Sequence, residues 1–278
     1  MAIAVLLAVI AAACIGTADF FAGVVGRRDP SNSALASAYA VVLVVALPAA
    51  FLVDGLPAGA GIGWGAAMGV FWAIGIYALA RGISQGRVVV VVPIAGVLSA
   101  AIPVLMDIID GGRPGPVVGL GVAVGILAVA LVGIGSNTAQ SRSVAWSAAQ
   151  GTIGGVTTGF SLVFMDQAAD SGLWPLVAAA FVATLGAAGY SLIGGQSLVP
   201  PRPALYPAAA MGLLVACAFL AMMSAFPRGT LTTVSVVVSQ YPAVTIALAA
   251  VFWHQRPRGV QYIGVVLTLV AVAMIALG

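Results

Sequence analysis

The sequence predicts an all-α polytopic membrane protein, with ten transmembrane helices arranged as two inverted five-helix repeats. Three observations predict this fold class. First, 62% of the 278 residues are hydrophobic and only 6% are charged, whereas a soluble domain carries about 25% charged residues. Second, the apolar residues form ten runs long enough to cross a bilayer. Third, short motifs recur in the same order in both halves of the chain.

Each of the ten runs is interpreted as a helix, because crossing about 30 Å of hydrocarbon takes roughly 17–25 helical residues. The predicted spans are residues 3–25, 34–53, 62–80, 88–109, 117–135, 146–168, 173–194, 204–226, 231–253 and 260–277. The first run lacks the basic start of a signal peptide, so a retained first helix is expected. The pieces between the runs are short, which leaves no room for a soluble domain.

Two sets of motifs indicate the internal repeat. Residues 78–82 end in Arg-Gly, and residues 225–229 end in the same pair. Arg113-Pro114 is matched by Arg256-Pro257, and in both halves a glycine follows eight positions after the arginine. The predicted division is a first repeat at 1–136, a linker at 137–145 and a second repeat at 146–278. Because five spans is an odd number, the second copy is inverted, and such repeats place a substrate near the midplane.

Glycines at four-residue spacing form two rows on single helix faces. The rows are Gly61, Gly65 and Gly69, and Gly151, Gly155 and Gly159. Such rows let helix backbones approach closely in a membrane, so they are interpreted mainly as packing faces, with a cavity lining as the alternative.

These features resemble the EamA-type domains of the drug/metabolite transporter superfamily. The resemblance rests on the five-plus-five spans, the Ala-x-x-x-Gly helix ends, the mid-helix prolines and the first-helix string Gly16-Thr17-Ala18-Asp19-Phe20. It implies a secondary transporter that moves a small metabolite, amino acid or drug-like solute across the plasma (inner) membrane by alternating access, commonly as an exporter. Many members carry a Gly-Glu pair after the fourth and ninth spans. This chain has Asp110-Gly111 and His254-Gln255 there, so a role of that acid is not carried over.

The alternative classes are a channel or a non-transporting membrane scaffold. An enzyme is not expected, because the sequence has no Gly-x-Ser-x-Gly elbow, no phosphate loop and no cysteine–histidine pair. No metal or cofactor is expected either, because there is one histidine and two distant cysteines. The expected partners are a small solute, the lipid bilayer and, through coupling, protons; a homodimer is left open. The arginines form no basic stripe, so nucleic acid is not expected.

The ten basic residues, all arginine, predict the orientation. Eight lie in odd-numbered linkers and two, Arg113 and Arg228, in even-numbered ones. The positive-inside rule therefore places the odd linkers in the cytoplasm and both termini outside.

Asp19 is the clearest polar residue inside a predicted span. Carboxylates in a membrane are costly and are functional candidates by default. It is interpreted as a proton acceptor, the coupling candidate, or as the counter-charge to a cationic solute. The alternatives are a structural aspartate bonded to a neighbouring helix, or one that reaches towards Arg27 and Arg28.

The other candidates for solute contact or cavity lining are aromatic and polar residues inside spans. Ser239, Gln240 and Tyr241 form the most polar mid-span cluster, and Trp72 and Tyr77 are candidates for an aromatic wall. Tyr77 is also compatible with an interfacial belt.

Pro93 and Pro242 are predicted to act as paired hinges beside the cavity. A proline inside a helix removes one backbone hydrogen bond and bends or breaks the helix. The alternative is a static kink that only helps packing.

Overall fold

The fold is known from a computed structural model of the chain. It describes residues 2–29, 33–56, 59, 61–111, 115–134, 143–193, 195, 197–254 and 259–277. The Arg-Pro motifs of the predicted repeat and most of the predicted linker at 137–145 lie outside these ranges.

Within the described ranges the regular structure is helical. The helices are α1 Ala2–Arg28, α2 Ser33–Asp54, α3 Ile62–Gln85, α4 Val88–Ile109, α5 Pro116–Ile134, α6 Val144–Gln167, α7 Trp174–Ile193, α8 Arg202–Ala225, α9 Leu231–Val238, α10 Tyr241–Phe252 and α11 Val260–Leu277. Single 3₁₀ turns at Ala169–Ser171 and Phe226–Arg228 follow α6 and α8.

Seven helical segments in the described ranges are long and apolar enough to cross a membrane. They are α1, α2, α3, α4, α7, Arg202–Arg228 and Leu231–Phe252, and the last of these contains both α9 and α10. The shorter stretch Tyr262–Ala271 of α11 is also apolar. The predicted all-α polytopic membrane protein is therefore confirmed at this level.

Polar side chains fix several helix starts. Asp29 Oδ2 accepts hydrogen bonds from Ser33 Oγ (2.8 Å) and from the backbone N–H of Ala34 (2.6 Å), which caps the start of α2. Ser143 Oγ accepts from the N–H of Trp146 (3.2 Å) at the start of α6. These bonds supply acceptors for the first N–H groups of each helix, which have no intrahelical partner.

The helices pack in pairs that link the first half of the chain to the second. The main contacts join α1 to α8, α3 to α6, α4 to α6, α3 to α7, α2 to both α7 and α8, and α5 to α11. A large core of buried side chains lies between α1, α2, α3, α7 and α8. The two halves are therefore not separate bodies, because most of the closely packed helix pairs join one half to the other.

The predicted glycine rows lie at two of these contacts. A Cβ at Gly65 or Gly69 would collide with the α7 backbone. On α6, a Cβ at Gly151 or Gly155 would collide with the α4 backbone, and one at Gly159 with a side chain of α4. The rows act as packing faces, because glycine alone lets these helices come so close.

Candidate functional site

The segment Leu231–Phe252 is interrupted halfway along its length. The N–H of Ser239 donates to the carbonyl of Ser235 (2.9 Å) and closes α9, while the N–H of Gln240 bonds only three residues back, to Val237 (3.2 Å). Next, α10 begins at Tyr241, with Pro242 in its first turn. Proline is accepted there because its missing N–H would have no helical partner. The helix is thus interrupted just before Pro242, whereas α4 continues as a helix through Pro93, and the hinge role of both prolines stays a prediction.

Serine hydroxyls join α4 to the end of α9 at this break. Ser99 Oγ lies 3.1 Å from Ser239 Oγ and 3.0 Å from the carbonyl oxygen of Gly96. Ser239 Oγ in turn donates to the carbonyl of Ser235 (2.7 Å). All of these groups are buried, and a Cβ at Gly96 would collide with the ring of Pro242. The hydroxyls and the close backbone approach hold the broken segment against α4.

Helix α1 packs on the other side of the break. Thr245 Oγ1 lies 3.0 Å from the carbonyl oxygen of Gly16, and a Cβ on Gly16 would lie only 2.5 Å from the carbonyl oxygen of Tyr241. About one turn further along α1, Asp19 is buried, with 3% of its surface exposed. Its Oδ2 atom has no hydrogen-bond partner in the described part of the chain. Asp19 lies within electrostatic range of the Tyr241 side chain.

A cavity of about 40 Å³, here called the central cavity, lies beside the break. Its lining comes from α1, α3, α4, α6, α8 and the α9–α10 segment: Ile15, Trp72, Ser99, Thr158, Ser161, Leu162, Met165, Phe219, Met222, Val238, Ser239 and Tyr241. About 10–15 Å³ is enough for one water, so the cavity holds water-sized groups in this conformation. The Tyr241 hydroxyl is fully buried and forms no well-aligned hydrogen bond among the described residues, although Ser99 lies within interaction range of it.

Aromatic rings form one wall of the central cavity. Trp72 packs edge-to-face against Phe219 (ring centroids 4.5 Å apart) and against Tyr39 (4.8 Å). Tyr39 does not line the central cavity but lines a second cavity, of about 510 Å³, between α2, α3, α6 and α7. We call this second cavity the lateral groove. Tyr39 and Trp72 therefore separate the two spaces.

Aspartates gather at the end of the bundle where α2, α4 and α6 finish. Asp107 Oδ2 lies 3.1 Å from Thr232 Oγ1 at the start of α9, and Asp166 is within electrostatic range of Asp107 and Asp170. Asp54 accepts a hydrogen bond from the N–H of Leu173 (2.5 Å), which ties α2 to α7. This end is acidic, and the opposite end carries Arg27, Arg81 and other arginines.

The structure brings together part of the predicted site. Trp72, Ser239 and Tyr241 all line the central cavity. Asp19 does not line it but lies within electrostatic range of Tyr241. Gln240 is half-buried beside the break and does not line either cavity. Tyr77 lines the lateral groove.

Sequence reasoning missed several residues of the central cavity. Ser99 was overlooked, although it is the one polar residue between Arg87 and Asp107, and this isolation was a usable signal. Thr158 and Ser161 on α6, and Phe219 and Met222 on α8, also line the cavity. No signal in the sequence separates these four from similar residues that face other helices.

The comparisons with known proteins agree with this architecture. A protein of known crystal structure is similar over 99% of this chain and 96% of its own length, with a TM-score of 0.68 and 18% identity. At that identity the likeness shows the shared fold alone. No curated protein sequence matches the chain. The profile of the EamA-like transporter family matches residues 146–277, which are the predicted second repeat apart from its last residue. The second half of the chain, residues 146–277, belongs to the EamA-like transporter family.

Proposed function

We propose that this protein is a secondary transporter that binds a small solute at the central cavity and moves it by alternating access. The single observation that carries the proposal is the central cavity, where residues of both halves meet at a broken helix. Two buried polar atoms, Asp19 Oδ2 and the Tyr241 hydroxyl, lie in or beside it, and neither forms a well-aligned hydrogen bond among the described residues. Discontinuous helices at the interface of repeats are the usual place for a transporter's solute site.

The packing of the helices supports a ten-span inverted repeat. If α1–α5 correspond to α6, α7, α8, α9–α10 and α11, the contact of α1 with α8 corresponds to that of α6 with α3. The contact of α3 with α7 likewise corresponds to that of α8 with α2, and the contact of α4 with α6 to that of α9–α10 with α1. Two inverted copies of one repeat produce such matching pairs of helix contacts. In this arrangement each half can adopt the conformation of the other.

The chemistry of the site favours a solute that carries a hydrogen-bond donor, such as an amino group. Asp19 offers an acceptor, and as a carboxylate it can also hold a proton. Trp72, Phe219 and Tyr241 provide aromatic surface, which binds apolar and cationic groups alike. Amino acids, small metabolites and lipophilic amines meet these requirements. Export is the direction that the family resemblance favours, and Asp19, as a carboxylate inside a span, is the group proposed to exchange the proton.

Flux into proteoliposomes tests the proposal. Labelled amino acids, metabolites and lipophilic amines are offered with and without an imposed pH gradient. We expect saturable flux of one class that rises with the gradient. In Asp19→Asn, flux falls at least about tenfold, the equivalent of one lost charged hydrogen bond of about 1.5–3 kcal/mol, and the gradient dependence disappears.

Asp110→Asn is the matched control, because Asp110 is exposed at the end of α4. We expect the flux of this variant to be unchanged. Flux that never saturates would favour a channel. No flux of any class from folded protein would contradict a transporter. Gradient dependence retained in Asp19→Asn would remove Asp19 from the coupling mechanism.

A further inference from the structure

The lateral groove lies apart from the central cavity and has its own chemistry. Its floor is one face of α3, formed by Val70, Ala73, Ile74, Tyr77 and Arg81 at helical spacing. Helix α6 forms one wall with Gln150 and Ile153, and α7 forms the other with Val182, Gly186 and Tyr190. The start of α2 closes the inner side with Tyr39. A volume of about 510 Å³ is within the range of about 300–1,000 Å³ that is usual for small-molecule sites.

Apart from the buried Tyr39 hydroxyl, the polar groups of the lining gather at one end of the groove. The hydroxyls of Tyr77 and Tyr190 lie 2.7 Å apart, and the Arg81 guanidinium lies 5.4 Å from the centre of the Tyr77 ring. Gln150 on α6 lines the groove as well. The rest of the lining is aliphatic apart from the buried Tyr39. A ligand that matches this lining has a polar head and an apolar tail.

The Arg81 charge has no acidic partner. All seven aspartates of the chain are among the described residues, and none of them forms a salt bridge with Arg81. The guanidinium is half-buried and contacts the face of an aromatic ring. A fork of N–H donors in this position suits a phosphate or carboxylate, which Arg binds in bidentate fashion.

The length and depth of the groove match one leaflet of a bilayer. Val70 and Arg81 are eleven residues apart on α3, which is about 16 Å at 1.5 Å per residue, and half of a hydrocarbon core of about 30 Å is about 15 Å. Arg81 lies about one turn from the end of α3 at Gln85, so the polar end is near the membrane surface. The apolar end is near mid-depth.

The groove is open on the side that faces the lipid. Side chains along it remain exposed in the isolated protein: Val70 (46%), Ile74 (48%), Ile153 (43%) and Tyr190 (51%). In a membrane these aliphatic surfaces contact acyl chains rather than water. The groove can therefore be filled from the bilayer without any movement of the bundle.

We propose that the lateral groove binds an anionic phospholipid, with its phosphate at Arg81, Tyr190 and Gln150 and one acyl chain along α3 towards Val70. Basic pockets between membrane helices bind anionic headgroups in this manner. The lipid comes from the leaflet at the arginine-rich end of the bundle. Tyr39 contacts the groove on one side and Trp72 on the other, so the bound chain lies one aromatic ring away from the wall of the central cavity.

Native mass spectrometry of the purified full-length protein tests this site. Phosphatidylglycerol and phosphatidylcholine with identical acyl chains are titrated separately. We expect phosphatidylglycerol to bind at least about fivefold more tightly, and Arg81→Gln to remove that preference, since one arginine at a lipid surface contributes about that factor. Arg228→Gln is the matched control: Arg228 holds the corresponding position in the second repeat, bonds to the carbonyl of Ser224 (2.6 Å) and is exposed.

A second variant tests the location independently of charge. A Cβ added at Gly186 meets nothing within 4 Å, so Gly186→Trp fills the groove without disturbing helix packing and is expected to abolish binding of both lipids. Elution as a single folded species in size-exclusion chromatography confirms that each variant is intact.

Equal affinity for the two lipids, or lipid binding unchanged in Gly186→Trp, would overturn the proposal. A transported solute could also displace the bound lipid at the same concentration that saturates flux. That result would show that the groove is a route for the solute, and it would overturn the lipid-site proposal. Neither result depends on whether Asp19 couples transport to protons.

Discussion

Buried polar atoms without partners are the clearest functional feature at the scale of single residues. The Tyr241 hydroxyl and Asp19 Oδ2 are both buried and form no well-aligned hydrogen bond in the described chain, and a buried polar group left fully unpaired costs about 1–3 kcal/mol. Most buried polar groups in proteins are hydrogen-bonded, so an exception calls for an explanation. The proposed explanation is a solute or a proton that completes the site during transport.

Tyr241→Phe separates this explanation from a structural role. Because the hydroxyl forms no well-aligned hydrogen bond, and the nearby Ser99 already bonds to Ser239, we expect the unfolding temperature in detergent to stay nearly the same. The KM for the transported solute rises about three- to tenfold, which corresponds to one neutral hydrogen bond of about 0.5–1.5 kcal/mol. Thermal unfolding and flux measured on the same preparation check both halves of the prediction. A destabilised variant with an unchanged KM would show that the hydroxyl serves the fold.

The site was only partly predictable from sequence, and the reason is physical. Trp72, Ser239 and Tyr241 were found because polar and aromatic side chains inside a span are costly and few. Ser99 and Thr158 are harder to recognise, since a hydroxyl in a membrane helix can bond to a carbonyl of its own helix at little cost. Contacts between the two halves decide which face of each helix meets the cavity, and the spacing of residues along one helix does not reveal those contacts. The same holds for Tyr77, which lines the lateral groove and not the central cavity.

At the scale of helices, α1 and α10 approach each other closely beside the site. Gly16 leaves no space for a side chain, because a Cβ there would lie 2.5 Å from the Tyr241 carbonyl oxygen and 2.7 Å from the Val244 Cβ. The backbone of α10 is therefore positioned directly by the backbone of α1, with Asp19 about one turn away.

Gly16→Ala is expected to destabilise the protein by about 1–3 kcal/mol, as overpacking does, and to reduce flux by moving α10. Gly189→Ala on α7 is the matched control, because a Cβ there meets nothing within 4 Å. It should stabilise by up to about 1 kcal/mol through helix propensity alone. Thermal unfolding of the two variants side by side decides the matter, and equal stabilities would contradict the close approach.

The break between α9 and α10 gives Pro242 a different setting from Pro93. Residue 242 has no N–H to donate to the carbonyl of Val238, so the segment can bend there. We expect Pro242→Ala to slow flux with little change in solute affinity, because a continuous helix resists the change between conformations. Pro93→Ala, in an uninterrupted helix, is the comparison and is expected to have the smaller effect. If the two variants behaved alike, the hinge would not be specific to the break.

The helices themselves were largely predictable from sequence because every span needs a long apolar run. The predicted span 231–253 is two helices in the structure. The turn between them is held by contacts with α4, through the hydroxyls of Ser99 and Ser239 and the close approach of Gly96 to Pro242, and local spacing does not reveal these contacts. The ends of the spans were less certain where capping decides them, as at Asp29 and Ser143.

For the whole molecule, charge divides the two ends of the bundle. Asp54, Asp107 and Asp166 lie at one end. At the other, the Arg27 guanidinium lies 4.0 Å from the Trp253 ring centre, and Arg28 Nη1 lies 2.9 Å from the Pro203 carbonyl oxygen. From the positive-inside rule we expect this second end to lie in the cytoplasm.

Reporter fusions test the orientation. A fluorescent protein that matures only in the cytoplasm is expected to stay dark at the C-terminus and to fluoresce when inserted in the linker between α7 and α8. A periplasmic alkaline phosphatase should give the opposite pattern at the same two positions. Fluorescence from the C-terminal fusion would reverse the assignment and would move the proposed lipid to the other leaflet.

Access to the central cavity from both sides of the membrane tests the central claim most directly. Ser239→Cys is made after replacing Cys14 and Cys217 with alanine, since Cys217 is exposed. A membrane-impermeant thiol reagent is then applied to one side at a time. We predict that position 239, buried in the present conformation, reacts slowly from either side and is protected from both by the transported solute. A variant that still transports but never reacts, or whose reaction the solute does not slow, would contradict a solute site between the two halves.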